Sequence, residues 1–215
     1  MTYTVPQKYV MYAHNQRSNM DYERAGTYYT AASHGWLMRY RSLPEVDNVT
    51  QPDNVPENLG RAIQDRLAGA VCFRLAEQSD RAKSICQQGI AVVEDADEYD
   101  EFPAEGSGAN PRKGLFHEMI GDLRLVGNVG DYDAAYLTAA EYYNEAESPR
   151  GWQAEPEFDS LIQLLIDLAA ASGRTIDDAK RRQIQHASLR ERIQYKRAEY
   201  PNIVSDLISS GEWVE

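Results

Sequence analysis

Apolar residues recur along this chain at three- and four-residue spacings over long stretches, and alternating period-two runs bounded by turns are nearly absent. The pattern predicts helices and no sheet. Start and stop signals divide it into about nine helices, over 6–18, 21–42, 56–77, 80–95, 111–127, 131–147, 157–172, 176–199 and 201–210. Asp21, Asn54, Ser79, Asn110, Asp131 and Thr175 each stand where a side-chain oxygen can accept from an unpaired N–H of a first turn. Asn54 with Glu57, and Thr175 with Asp178, have capping-box spacing. Pro111 follows Asn110, where its missing donor costs nothing, and Gly173 and Gly211 sit where helices should stop. Three segments read as irregular: 43–55, 95–110 and 148–156. They separate hairpins at about 6–42, 56–95, 111–147 and 157–199, followed by the short helix 201–210, so the expectation is one all-α domain over 1–215.

A small residue recurs in the second helix of successive pairs, in DYERAGTYYTAA at 21–32, SDRAKSICQQG at 79–89 and DYDAAYLTAAEYY at 131–143. Ala25, Ala82 and Ala135 take equivalent places, and an alanine there lets two helices approach closely. In the first hairpin Tyr9, Tyr12 and Ala13 are followed by Tyr22, Ala25, Tyr29 and Ala32. The second retains Ala70, Phe73, Ala82 and Gly89, and the third Ile120, Gly121, Tyr132 and Ala135. This succession of aromatic, Leu-Gly-like and small positions resembles the tetratricopeptide repeat, although Gln16, Arg66, Gly69, Arg124, Ala139 and Tyr142 depart from it. The intervals of 57 and 53 residues between the three alanines exceed the 34 of an uninterrupted array. The resemblance implies antiparallel hairpins stacked in a right-handed superhelix with a concave protein- or peptide-binding face.

Composition narrows the classes. No apolar run approaches the roughly 18 residues that span a bilayer, and the start MTYTVPQKYV lacks a basic stretch followed by an apolar one, so the expected location is cytoplasmic, with no membrane partner. The net charge of -12 argues against nucleic acid as a partner, because that affinity rests on cations neutralising phosphates. Only five of the 22 basic residues are Lys, and scarce Lys with abundant carboxylates resembles the composition of proteins from salt-loving archaea. Charge is nonetheless uneven: 94–110 carries seven acids and no base, whereas 179–198 carries Lys180, Arg181, Arg182, Arg190, Arg192, Lys196 and Arg197 against Glu191 alone, a local balance of +6.

Recognised chemistry is sparse. His14, His34, His117 and His186 fall on four different helices, and no phosphate-cradling or nucleophile-elbow motif is present. Glu118 and Asp122 share a helix face beside His117, but Gly121 stands where a second zinc-binding histidine would belong. Cys72 and Cys86 read as buried small hydrophobes placed symmetrically about the turn near Ser79, close enough in that arrangement to make a redox link conceivable. Asn48-Val49-Thr50 fits a glycosylation triplet, without an export signal. No catalytic residue, metal or cofactor is expected. Fourteen Tyr against four Phe suit a binding surface, so the candidate partner-binding residues are Tyr9, Tyr12, Arg181, Arg182 and Arg190. The expected function is a non-enzymatic scaffold that presents a helical groove to a peptide or helix of another protein. The alternatives are a nucleic-acid-associated protein using helix 176–199 and a helical enzyme with a site between hairpins.

Overall fold

The computed structural model describes residues 4–41, 55–98, 109–145, 156–174 and 177–213. Nine helices run through them: α1 Val5–Ser18, α2 Tyr22–Arg41, α3 Val55–Leu75, α4 Ser79–Glu98, α5 Ala109–Gly127, α6 Tyr132–Glu145, α7 Pro156–Ala171, α8 Asp178–Gln185 and α9 Leu189–Ser210. No strand occurs among the described residues, and the fold is all-α. The Asn48 triplet, the caps at Asn54 and Thr175, and the part of the acidic segment at 99–108 lie outside the described residues.

Several helix ends follow from the sequence. Asp21 accepts from the Arg24 N–H at 3.2 Å, and Asp131 from that of Ala134 at 3.0 Å. α1 begins at a capping box not foreseen, in which the Thr4 N–H donates to Gln7 Oε1 at 2.9 Å. Ser79 stands inside the first turn of α4, where the Gln78 carbonyl accepts from Ala82, and Asn110 and Pro111 lie in the first turn of α5. The largest departure concerns the expected helices 176–199 and 201–210. The chain breaks at 186–188, and α9 continues through Pro201. Ser188 and Glu191 form a second capping box that starts α9, with the Ser188 N–H donating to Glu191 Oε2 at 2.8 Å. A proline in a helix interior costs about 3 kcal/mol. Burial of Tyr200, Ile203, Val204 and Leu207 around it supplies a larger opposing term.

The turns repeat. At the end of α1 the Asp21 N–H donates to the Gln16 carbonyl and that of Met20 to Arg17; Gln78 to Phe73 with Glu77 to Arg74 close α3 in the same way. Val129 to Arg124 with Asn128 to Leu125 close α5, and Arg174 to Ala169 with Gly173 to Ala170 close α7. Each is the paired 6→1 and 5→2 pattern of a Schellman cap, with Met20, Glu77, Asn128 or Gly173 in the left-handed conformation. The first helix of every hairpin thus ends on one geometry, and only at Gly173 does a glycine announce it.

Successive helices from α1 to α6 pack in chain order. α7 then packs against α3, and α9 against α6 and α7, so the C-terminal helices return to the middle of the stack instead of extending it beyond α6. α3 therefore has neighbours all round, which accounts for its near-continuous burial from Leu59 to Phe73. Ala25, Ala82 and Ala135 are all buried. Cys72 and Cys86 are buried and unlinked, and burial pushes both thiols up to about 12. They face different neighbours: Arg17 of α1 supplies the charge nearest Cys72, whereas Cys86 packs on Gly127 of α5.

Glycine matters most between α5 and α6. A Cβ at Gly121 would collide with the Tyr136 ring and one at Gly114 with the Tyr143 ring, so the two glycines hold the slots that these tyrosines fill. Gly121→Ala is expected to lower stability by about 1–3 kcal/mol through overpacking. Urea unfolding measures it, and an unchanged midpoint would show that the ring moves aside freely.

Candidate functional site

Polar groups gather in two places. The first is inside the bundle, where α5, α6 and α9 meet. Glu118 and Asp122, one turn apart on α5, face Arg192 and Lys196, one turn apart on α9, and all four are at most 2% exposed. Arg192 Nη2 lies 2.6 Å from Glu118 Oε2, and Lys196 Nζ lies 2.9 Å from Glu118 Oε1 and 2.5 Å from Asp122 Oδ2. Tyr143 donates to Glu118 at 2.5 Å and Tyr136 to Asp122 at 2.7 Å. Burial alone would raise the Glu118 carboxyl, but Arg192, Lys196 and the Tyr143 hydroxyl overcome it and hold the group at about 2. Asp122 is raised, by burial and then by the Glu118 charge, against the pull of Lys196 and Tyr136. Two acids and two bases balance in a site sealed from solvent, an arrangement that specifies how three helices meet.

This cluster changes the reading of the basic segment. Arg192 and Lys196 are internal, Arg197 forms a two-pronged pair with Asp133 at 2.8 and 3.1 Å, and Arg190 donates to the Tyr143 and Asn144 carbonyls at the end of α6, at 3.2 and 2.7 Å. The local excess of +6 therefore does not form one basic face. Of the candidate partner-binding residues, Arg190 thus serves as a cap for α6. Arg182 is exposed and Arg181 half-buried on α8, where the Arg181 charge acts on Asp167 of α7. Tyr9 and Tyr12 are brought together against Tyr28 of α2, with ring centroids at 6.3 and 5.6 Å, and Tyr12 remains 51% exposed.

The second place is an open cleft of about 410 Å³ between α1, α2, α3 and α7, within the size range of ligand pockets. Val10, Met11, His14 and Arg17 of α1 form one side, and Leu164 and Asp167 of α7 lie opposite. Tyr29 and Trp36 of α2 and Asp65 and Ala68 of α3 form the floor. Tyr9 and Tyr12 are not among the lining residues. Trp36 is held by cations on its faces, with the Arg61 guanidinium 5.1 Å and that of Arg39 5.6 Å from the ring centroid.

Asp65 is the unusual group. It is only 6% exposed, and the Trp36 indole N–H donates to its Oδ2 at 3.0 Å. That is its one hydrogen bond among the described residues, so Oδ1 has no protein donor on the cleft floor. Burial pushes the carboxyl up to about 7, an effect that the indole bond and the Arg61 charge only partly offset. Among the described residues Oδ1 accepts from no protein group and is not sealed from solvent, so it is accessible to a donor that enters the cleft. Arg66, next in sequence, is satisfied internally by Ser33 Oγ at 3.2 Å and the Ile85 carbonyl at 3.3 Å.

Among the described residues no group of three or more His, Cys, Asp or Glu could hold a metal ion, and no helix is long and apolar enough to cross a membrane. No protein-family profile, curated protein or solved structure matches the chain.

Proposed function

We propose that this chain is a non-enzymatic binding module, built from hairpins of tetratricopeptide type, that takes a peptide segment of another protein in the cleft between α1, α3 and α7. The observation that carries this is Asp65: an open, largely apolar and aromatic cleft whose floor presents one unserved carboxyl oxygen suits a chain segment that brings apolar side chains together with N–H donors. The recurring Schellman turn and the alanines at each hairpin contact support the repeat reading. The rim supplies apolar contact through Met11, which is 48% exposed.

Selection of random peptides on the purified protein tests the proposal. Enriched peptides are expected to lose at least tenfold in affinity for a Met11→Glu variant whose melting temperature is unchanged. Failure to enrich any peptide, or equal binding to both proteins, would remove the cleft as the binding site.

A further inference from the structure

Part of the cleft lining comes from the segment after α9. α9 stops at Gly211, which is left-handed with φ 73° and surrounded by open space, and the next two residues turn toward α1 and α2. Trp213 is 5% exposed and forms part of the cleft wall. Its backbone N–H donates to the Tyr22 hydroxyl at 2.8 Å, across 191 residues of sequence, and the Arg17 guanidinium stacks 4.4 Å from its ring centroid. Arg17 also donates to the Tyr29 hydroxyl at 3.2 Å, which helps to fix the cation over the ring. Glu212, beside Trp213, is exposed.

These contacts need a tryptophan ring and one backbone N–H, and nothing in them needs a covalent link to α9. We propose that the slot formed by Tyr22 and Arg17 is a binding site for a tryptophan-bearing acidic peptide of a partner protein, and that the chain's own Glu212-Trp213 is its resident competitor. The inference rests on the peptide-binding reading of the cleft and names both what the cleft takes and what competes for it. The ring supplies the buried area and the cation–π contact with Arg17, and the resident sequence Gly211-Glu212-Trp213, with Glu212 exposed, gives the peptide its acidic flank. A competitor on a short tether acts at an effective concentration on the order of millimolar, so it suppresses an external peptide of about 10 μM intrinsic affinity roughly a hundredfold.

The test uses a fluorescein-labelled peptide of residues 207–215, LISSGEWVE, and its Trp→Ala counterpart, with anisotropy as the readout. Full-length protein carrying Trp213→Ala is expected to bind the first peptide at least tenfold more tightly than wild type, and the second peptide not measurably. Trp213→Phe leaves Tyr22 and Arg17 of the slot untouched and keeps an aromatic ring and the backbone N–H in place, but weakens the resident competitor, and is expected to raise affinity for the peptide several-fold. It decides the matter if Trp213→Ala proves unfolded by circular dichroism. Equal binding of the peptide by wild type and Trp213→Phe, or equal binding of both peptides, overturns the inference. So does a wild-type dimer that Trp213→Ala converts to monomer, since the slot would then belong to a second copy. Display-selected peptides that depend on Met11 but not on Trp213 would sink this inference and leave the peptide-binding reading intact.

Discussion

Replacing Lys196 with methionine is expected to lower stability by about 3–5 kcal/mol, because removing one member of a buried ion cluster leaves its partners charged and uncompensated. Among the described residues Lys196 is the one cation that touches both carboxylates, at 2.9 Å from Glu118 and 2.5 Å from Asp122. Methionine fills nearly the same space, so the loss is electrostatic and not a cavity effect. Arg192 continues to serve Glu118, which leaves Asp122 with the Tyr136 hydroxyl alone, in a site where burial already favours its neutral form. The stranded charge is thus on Asp122, and Asp122→Asn in the Lys196→Met background is expected to recover a large part of the deficit. Denaturant unfolding of the four proteins of this cycle gives the coupling directly. If Lys196→Met lay within about 1 kcal/mol of wild type, or if the second substitution only added to the damage, the cluster would not be holding α5 to α9.

That cluster also shows what the sequence made legible. The acidic pair Glu118 and Asp122 and the basic pair Arg192 and Lys196 each have the one-turn spacing that puts two groups on a helix face, and the first pair reads as co-facial from spacing alone. Their partnership spans 74 residues, which no local pattern encodes, so the bases read as a surface excess. The helices, the buried alanines and the glycine stops were accessible because their causes lie within a few residues. Pro201 misled for the same reason: a local breaker was overridden by packing on both sides of it. The Schellman caps at Met20 and Glu77 use residues with no left-handed preference and left no mark, Asn128 is a left-handed-tolerant residue that the sequence did present, and the Ser188 to Glu191 capping box was readable but masked by the expectation of one long helix. The cleft was beyond reach, since four helices and a residue after α9 contribute to it, and Asp65 is one of three successive polar residues, Gln64-Asp65-Arg66, with nothing to single it out until Trp36 arrives from 29 residues away.

Asp65→Asn is expected to stabilise the protein more at alkaline than at acidic pH. The folded-state carboxyl sits at about 7, against an ordinary aspartate value of 3.8. Below about pH 4 both folded and unfolded chains hold the proton, and Asp65 contributes no difference. As pH rises from about 4 to 7 the unfolded chain loses the proton while the folded chain keeps it, so the native state binds more protons and stability falls with pH. Above about 7 the folded carboxyl ionises too, and the accumulated loss levels off at no more than about 4 kcal/mol. Asparagine never ionises, and its amide oxygen can still accept from the Trp36 indole. The advantage of the variant over wild type should therefore be up to about 3 kcal/mol larger at pH 8.5 than at pH 4.5, where only about 1 kcal/mol of the loss has accumulated. Comparing the two proteins at each pH cancels every other titrating group, including His34 and His117, whose pKa values are lowered chiefly by burial. Urea unfolding at the two pH values reads the difference of differences. A constant offset between variant and wild type would mean that Asp65 does not carry a raised pKa in the folded protein, and that its free oxygen is better solvated than the geometry of the cleft floor implies.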